Sequence, residues 1–201
     1  MVLVAGFALA SLDASAQSGN PSGRTNKMHN TIETWKEDMA KFRARSEENR
    51  KLTELADSLA GVQAFAAVKN QDFVLQAQTV QFRNGASIFV DSSTNFIYVK
   101  GNRAVVQISP SNYSSGPNGV GGVTVSGMLT GQEYRVGKHG YATYSFNVMG
   151  VGINAQIEIN LTPGTNQASA TIYPNFNSNT VWIQGNIVPY NNSDIIEGNS
   201  L

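Results

Sequence analysis

The chain of 201 residues contains no cysteine. That absence excludes a disulfide framework, a thiolate metal site, a cysteine nucleophile and a lipid anchor on an N-terminal cysteine. Histidine is scarce too. His29 and His139 are the only 2, and neither has a carboxylate at ligand spacing, so no metal site is expected. Charge of one sign is missing as a surplus. The 14 basic and 14 acidic residues balance to +0, which leaves no global field to draw nucleic acid or anionic lipid. A basic patch with interleaved aromatics, the mark of a nucleic-acid binder, does not occur. No apolar run reaches the roughly 20 residues that span a bilayer, so no transmembrane segment is expected. After Lys138 the chain has no Lys or Arg at all.

What is present begins with an address. Val2 to Leu12 is almost wholly apolar, and Ala14-Ser15-Ala16 follows. The pair reads as the hydrophobic stretch and small-residue cleavage site of a secretory signal over residues 1–16. The first basic residue is Arg24, so the usual charge ahead of the apolar run is missing. The expected product is exported, periplasmic or secreted after cleavage near Ala16/Gln17. Residues 17–28 are Ser, Gly, Asn and Pro with scattered charge, the composition of a flexible tether.

Residues 29–68 read as helix. Asn30 and Glu33 have capping-box spacing. Ile32, Trp35, Met39 and Phe42 recur at three- and four-residue steps, and Leu52, Leu55, Leu59, Val62 and Phe65 continue that kind of stripe. Between them Arg43 to Lys51 is nearly all charged, which fits two helices or one bent near Glu47 to Asn49. A solvated face with i,i+4 charge pairs accounts for this stretch. A partner-binding helix would rest on Trp35 and Phe42.

From residue 69 to 201 the period changes to two. Ile153, Ala155, Ile157, Ile159 and Leu161 alternate with polar neighbours, as in an antiparallel strand with one dry face and one wet face. Ala168 to Ile172 and Val181 to Ile187 repeat the pattern. Gly101-Asn102 is a two-residue hairpin signal between two such runs. Within Phe73 to Phe82 the apolar parity switches between Ala77 and Val80, which predicts a bulge near Gln78 or Thr79. No helix separates these strands. The fold class is mainly β: one antiparallel β-sandwich or partly closed β-barrel of eight to nine strands, preceded by the helical segment.

Catalytic constellations do not emerge. No nucleophile elbow occurs, and His139 sits in a turn. The β region offers Asp72, Asp91, Glu133, Glu158, Asp194 and Glu197, of which Asp91 and Glu133 could converge as paired acids. Gly116 to Gly122 lacks the following lysine and helix of a phosphate loop. No cofactor is implied. Outward strand positions after Lys138 are mainly Asn, Gln, Thr and Ser, a neutral face able to hydrogen-bond sugars, peptide backbone or another sheet edge. Trp182 falls on that outward parity beside Gln184 and Asn186, as in a carbohydrate-stacking platform. A ligand groove is expected near Tyr113, Asn175, Phe176, Asn177 and Trp182. The plainer role for Asn175 and Asn177 is to close the turn after Pro174, and it is the favoured one.

Several segments together carry a family resemblance. They are Asp72-Phe73-Val74-Leu75, Thr94-Asn95-Phe96, Gly116 to Gly122 with Val123-Thr124-Val125, Tyr134-Arg135-Val136, Leu161-Thr162-Pro163-Gly164, Pro174 to Asn179 and Gly198-Asn199-Ser200-Leu201. The set resembles the exported Bacteroidetes proteins grouped as domain-of-unknown-function family 4251, over roughly Leu59 to Leu201. The resemblance implies a bacterial envelope or secreted protein and brings no activity. The expectation is a non-enzymatic binding or cell-envelope interaction module. Its partner would be a small ligand, a glycan or an envelope protein. Two alternatives stand beside it: a hydrolase of envelope polymers using paired carboxylates, and a structural protein that self-assembles through a sheet edge.

Overall fold

The computed structural model describes residues 21–109, 122–150, 154–175 and 180–199. The expected signal segment and most of the glycine-rich stretch lie outside these residues. The chain divides into two compact units, residues 1–50 and 51–201.

Helix α1 runs unbroken over Pro21–Lys69. It does not split into two helices near Glu47, and it takes in residues 21–28, whose composition suggests a tether. Pro21 suits a first helical turn, where its missing N–H is no loss. The charged run before Lys51 is rich in Arg, Glu and Lys, all good helix formers. In the first unit the helix leaves Ile32, Trp35 and Phe42 exposed.

In the second unit the helix does not bury the face its large residues suggest. Leu52, Leu55, Leu59 and Val62 are exposed, whereas Gly61, Ala64, Ala67 and Val68 are buried and Phe65 is half-buried. Close approach decides this. A Cβ on Gly61 would lie 2.8 Å from the Thr165 backbone nitrogen, so only a small-residue face can sit this near the strands. The helix ends at Lys69, and Gln71, with a φ of 56°, turns the chain into the first strand.

The described residues form nine strands: β1 (Asp72–Phe82), β2 (Ser87–Phe89), β3 (Phe96–Lys100), β4 (Arg103–Ile108), β5 (Val123–Val136), β6 (Ala142–Gly150), β7 (Asn154–Leu161), β8 (Gln167–Pro174) and β9 (Val181–Pro189). The sheet order is β2-β1-β3-β4-β5-β6-β7-β8-β9, and β1 also pairs with β9. That last pairing closes eight antiparallel strands into an up-and-down barrel, with β2 added beside the end of β1. Closure explains the missing lysines after Lys138. Strands β6 to β9 have neighbours on both sides, so they need no charged guard against edge pairing.

Alternation places the core as the sequence suggests. Tyr144, Phe146, Val148, Ile157, Ile159, Ala170, Ile183 and Ile187 all point inward. The parity switch in β1 is a register shift between Ala77 and Thr79, with Gln78 as the extra residue. A second irregularity, between Thr130 and Glu133, interrupts the register within the single long β5. Gly131 supplies the φ of 60° it requires. The Gly101-Asn102 hairpin forms with Lys100 opposite Arg103.

The outer faces of β1, β3 and β4 are not wet. Val74, Phe96, Tyr98 and Val105 form a second apolar cluster there, covered by Val188, Tyr190 and Ile195. The strap after β9 is held by Gln107, whose side chain is fully buried. Its amide donates to the carbonyls of Thr94 (3.0 Å) and Ile196 (2.8 Å). Its oxygen accepts from the Thr124 hydroxyl (2.9 Å) and the Gly198 N–H (2.8 Å). At the strap's far end Glu197 accepts from the Tyr98 hydroxyl (3.1 Å) and pairs with Arg103 (2.6 Å).

Two buried phenols give this core a pH signature. Burial, reinforced by Glu197, pushes Tyr98 up to about 12, and burial alone pushes Tyr144 to about 12. In the unfolded chain a tyrosine titrates near 10. The unfolded state therefore loses these protons first, and their contribution is complete below pH ~10 and lost as pH rises through about 12. Absorbance titration should show two phenols still protonated at pH ~11 in the folded protein, with urea stability declining across that window.

Candidate functional site

The barrel has two unlike ends. At one end lie the start of β1, the β3–β4, β5–β6 and β7–β8 turns, and the last turns of α1, where Gly61 meets Thr165. At the other end β1, β4 and β8 finish and β5, β7 and β9 begin. This second end opens into a cavity of about 380 Å³. Its lining includes Phe82, Val106, Ile108, Val125, Ala155 and Ile172, completed by Gly122, Val123, Pro174 and Val181. None of these side chains is ionisable or carries a hydrogen-bonding group.

The geometry follows from the strand pattern. Inward positions of an eight-stranded barrel either fill it with side chains or leave room for one small ligand. Nearer α1 the bulky rings of Phe73, Tyr144 and Phe146 pack together, with centroids 6.0 and 5.1 Å apart. Toward the open end the inward residues are mostly Val, Ile and Ala, which leave the space unfilled. A smaller, enclosed apolar cavity of about 150 Å³ stays dry and binds benzene.

A second concavity lies on the outer face of β8, β9 and β1. It has a volume of about 480 Å³ and is lined by Gln78, Thr162, Gln167, Ser169, Gln184 and Asn186, with Ala168 and Gly185 at its floor. Trp182 stands beside Gln184 on the same face of β9 and is 39 % exposed.

The residues expected to line a groove divide between these places and beyond them. Tyr113, Phe176 and Asn177 lie outside the described residues. Asn175 is exposed at the end of β8, where its N–H donates to the Asn154 carbonyl (2.9 Å). Trp182 points out of the barrel, away from the apolar cavity. The cavity residues were legible as core positions, yet nothing in a strand's alternation marks which barrel end stays open.

The acids do not assemble a cleft. Asp91 caps its own turn, accepting from the Ser93 N–H (2.9 Å) and hydroxyl (2.7 Å), and these bonds lower its pKa. Glu133 pairs with Arg135 (2.6 Å) on the outside of β5. Glu158 accepts from Asn160 (3.2 Å), and Asp194 from Gln76 (2.5 Å). Glu133 and Glu158 flank Ser145 on an exposed face, two strand spacings or about 9.6 Å apart. His139 occupies the β5–β6 turn with a φ of 63°.

The architecture is that of a small up-and-down barrel with one helix-covered end and an apolar cavity toward the other. The chain belongs to the family described as a domain of unknown function, DUF4251, which matches residues 57–187. It is similar to the crystal structure of a DUF4251 family protein from Bacteroides eggerthii DSM 20697, with 45% sequence identity and a TM-score of 0.62. That similarity covers 70% of this chain and 95% of the other. No curated protein matches.

Proposed function

We propose that the chain is a non-catalytic binding module of the bacterial envelope or exterior whose barrel takes one small, neutral, apolar ligand. The observation that carries this reading is the cavity of about 380 Å³, to whose lining the described residues contribute no polar side chain. Such a pocket gives a ligand burial and shape but no charge partner and no acid or base. The separate carboxylates of Asp91, Glu133 and Glu158, each held by its own partner, support a binding role over paired-acid hydrolysis. Export is supported by the apolar run ahead of Ala14-Ser15-Ala16.

The test is thermal unfolding with a medium-chain alcohol as probe. A ligand at about 100 times its Kd adds about 2.7 kcal/mol, which raises Tm by roughly 5–10 °C for a domain of this size. Ala155→Phe, which places a ring in the cavity, should remove that shift while the protein still unfolds cooperatively. An unchanged Tm for the parent protein, or an equal shift in the variant, overturns the proposal.

A further inference from the structure

The outer groove is independent of the barrel cavity and has opposite chemistry. Its four amides come from Gln78 at the β1 bulge, Gln167 at the start of β8, and Gln184 and Asn186 on β9. Gln184 lies opposite Thr79 on one side and Ser169 on the other, and Asn186 opposite Gln76 and Gln167. The next row along carries Gln81, Trp182 and Thr171. Gln76 is the one amide in these rows bonded to a carboxylate, that of Asp194, and it bounds the groove on the strap side. Among the described residues, the side-chain amides of Gln78, Gln167, Gln184 and Asn186 form no hydrogen bond within the protein.

The geometry points to a binding site for a neutral oligosaccharide in this groove, with Trp182 as the stacking surface. Three features select that ligand. First, amides and hydroxyls offer both donors and acceptors, the match for a sugar's hydroxyl groups. Second, no lining side chain among the described residues carries a charge, so neither a phosphate nor a uronic acid finds a counter-ion there. Third, a half-exposed indole beside amides presents an apolar face for a sugar ring and leaves the hydroxyls to the amides. A peptide strand is disfavoured by the same structure. Strand β9 is paired to β8 and β1 on both sides, so its backbone has no free ladder groups for β-augmentation.

The experiment uses intrinsic fluorescence. The chain has 2 tryptophans, so a Trp35→Phe background leaves Trp182 as the sole reporter. The probes are neutral β-1,4-glucan, α-1,4-glucan and N-acetylglucosamine hexasaccharides, with a hexauronic acid and an extended peptide as comparators. A saturable change with at least one neutral hexasaccharide below about 10 mM is expected. Isothermal titration of Trp182→Ala, and separately of Gln167→Ala/Gln184→Ala, should weaken binding at least about tenfold. Both variants remove outward side chains, and circular dichroism checks that they fold. Ala155→Phe should leave sugar binding unchanged, which separates this site from the barrel cavity. The inference is overturned by silence with all three neutral sugars, by preference for the acid or the peptide, or by binding that survives both groove variants.

Discussion

Gly185→Ala should destabilise the barrel by about 3 kcal/mol or more, read as a lowered urea midpoint. Gly185 sits on β9 where that strand meets Ala77 of β1, beside the extra residue of the bulge. A Cβ there would lie 2.0 Å from the Gln76 carbonyl oxygen and 3.0 Å from the Ala77 Cα. Both neighbours are backbone, so no side chain can swing aside. The seam itself must move, and that seam is the pairing that turns an open sheet into a closed one. The substitution should also abolish the alcohol-induced Tm shift, because the cavity needs β1 and β9 held together. A variant as stable as the parent would mean that β1 and β9 do not approach as described.

Gln107→Leu should cost about 3 kcal/mol and free the strap. Leucine fills much the same space but removes the bonds that Gln107 makes with the Thr124 hydroxyl, the Thr94 and Ile196 carbonyls and the Gly198 N–H. An unsatisfied buried group costs about 1–3 kcal/mol, offset where water reaches it. Hydrogen exchange gives the sharper reading. The Gly198 amide donates to Gln107 and the Ile196 amide to the Ser93 carbonyl (2.8 Å), so both should lose protection together. If Gly198 alone changes, the strap is held by its apolar contacts with Phe96 and Tyr98 and not by Gln107.

Gln107 also shows why part of this molecule was hidden in its sequence. Alternation along Arg103–Ile108 puts Gln107 on the outer face, where an amide looks like ordinary solubility. It is buried because a segment some 90 residues later folds across it. Asn95 is a second buried amide, held by nearer neighbours. Its side chain bonds the Ser109 N–H (2.7 Å) and carbonyl (3.0 Å), replacing strand pairing at the end of β4. Likewise the leucines of α1 have the spacing of a core stripe, yet the small-residue face is the one the strands admit. Of the expected groove, Trp182 was placed correctly on the outer face, because parity alone sets that.

Local rules determined a great deal here. A two-residue period sorts side chains between two faces whatever the sheet does next, so the strands, the bulge at Gln78 and the hairpin at Gly101 were readable one segment at a time. The pairing of β1 with β9, the open apolar end and the strap over Gln107 join residues roughly a hundred positions apart. Those features depend on cumulative twist and stagger around the whole barrel, a property of all eight strands together and of no single stretch of chain.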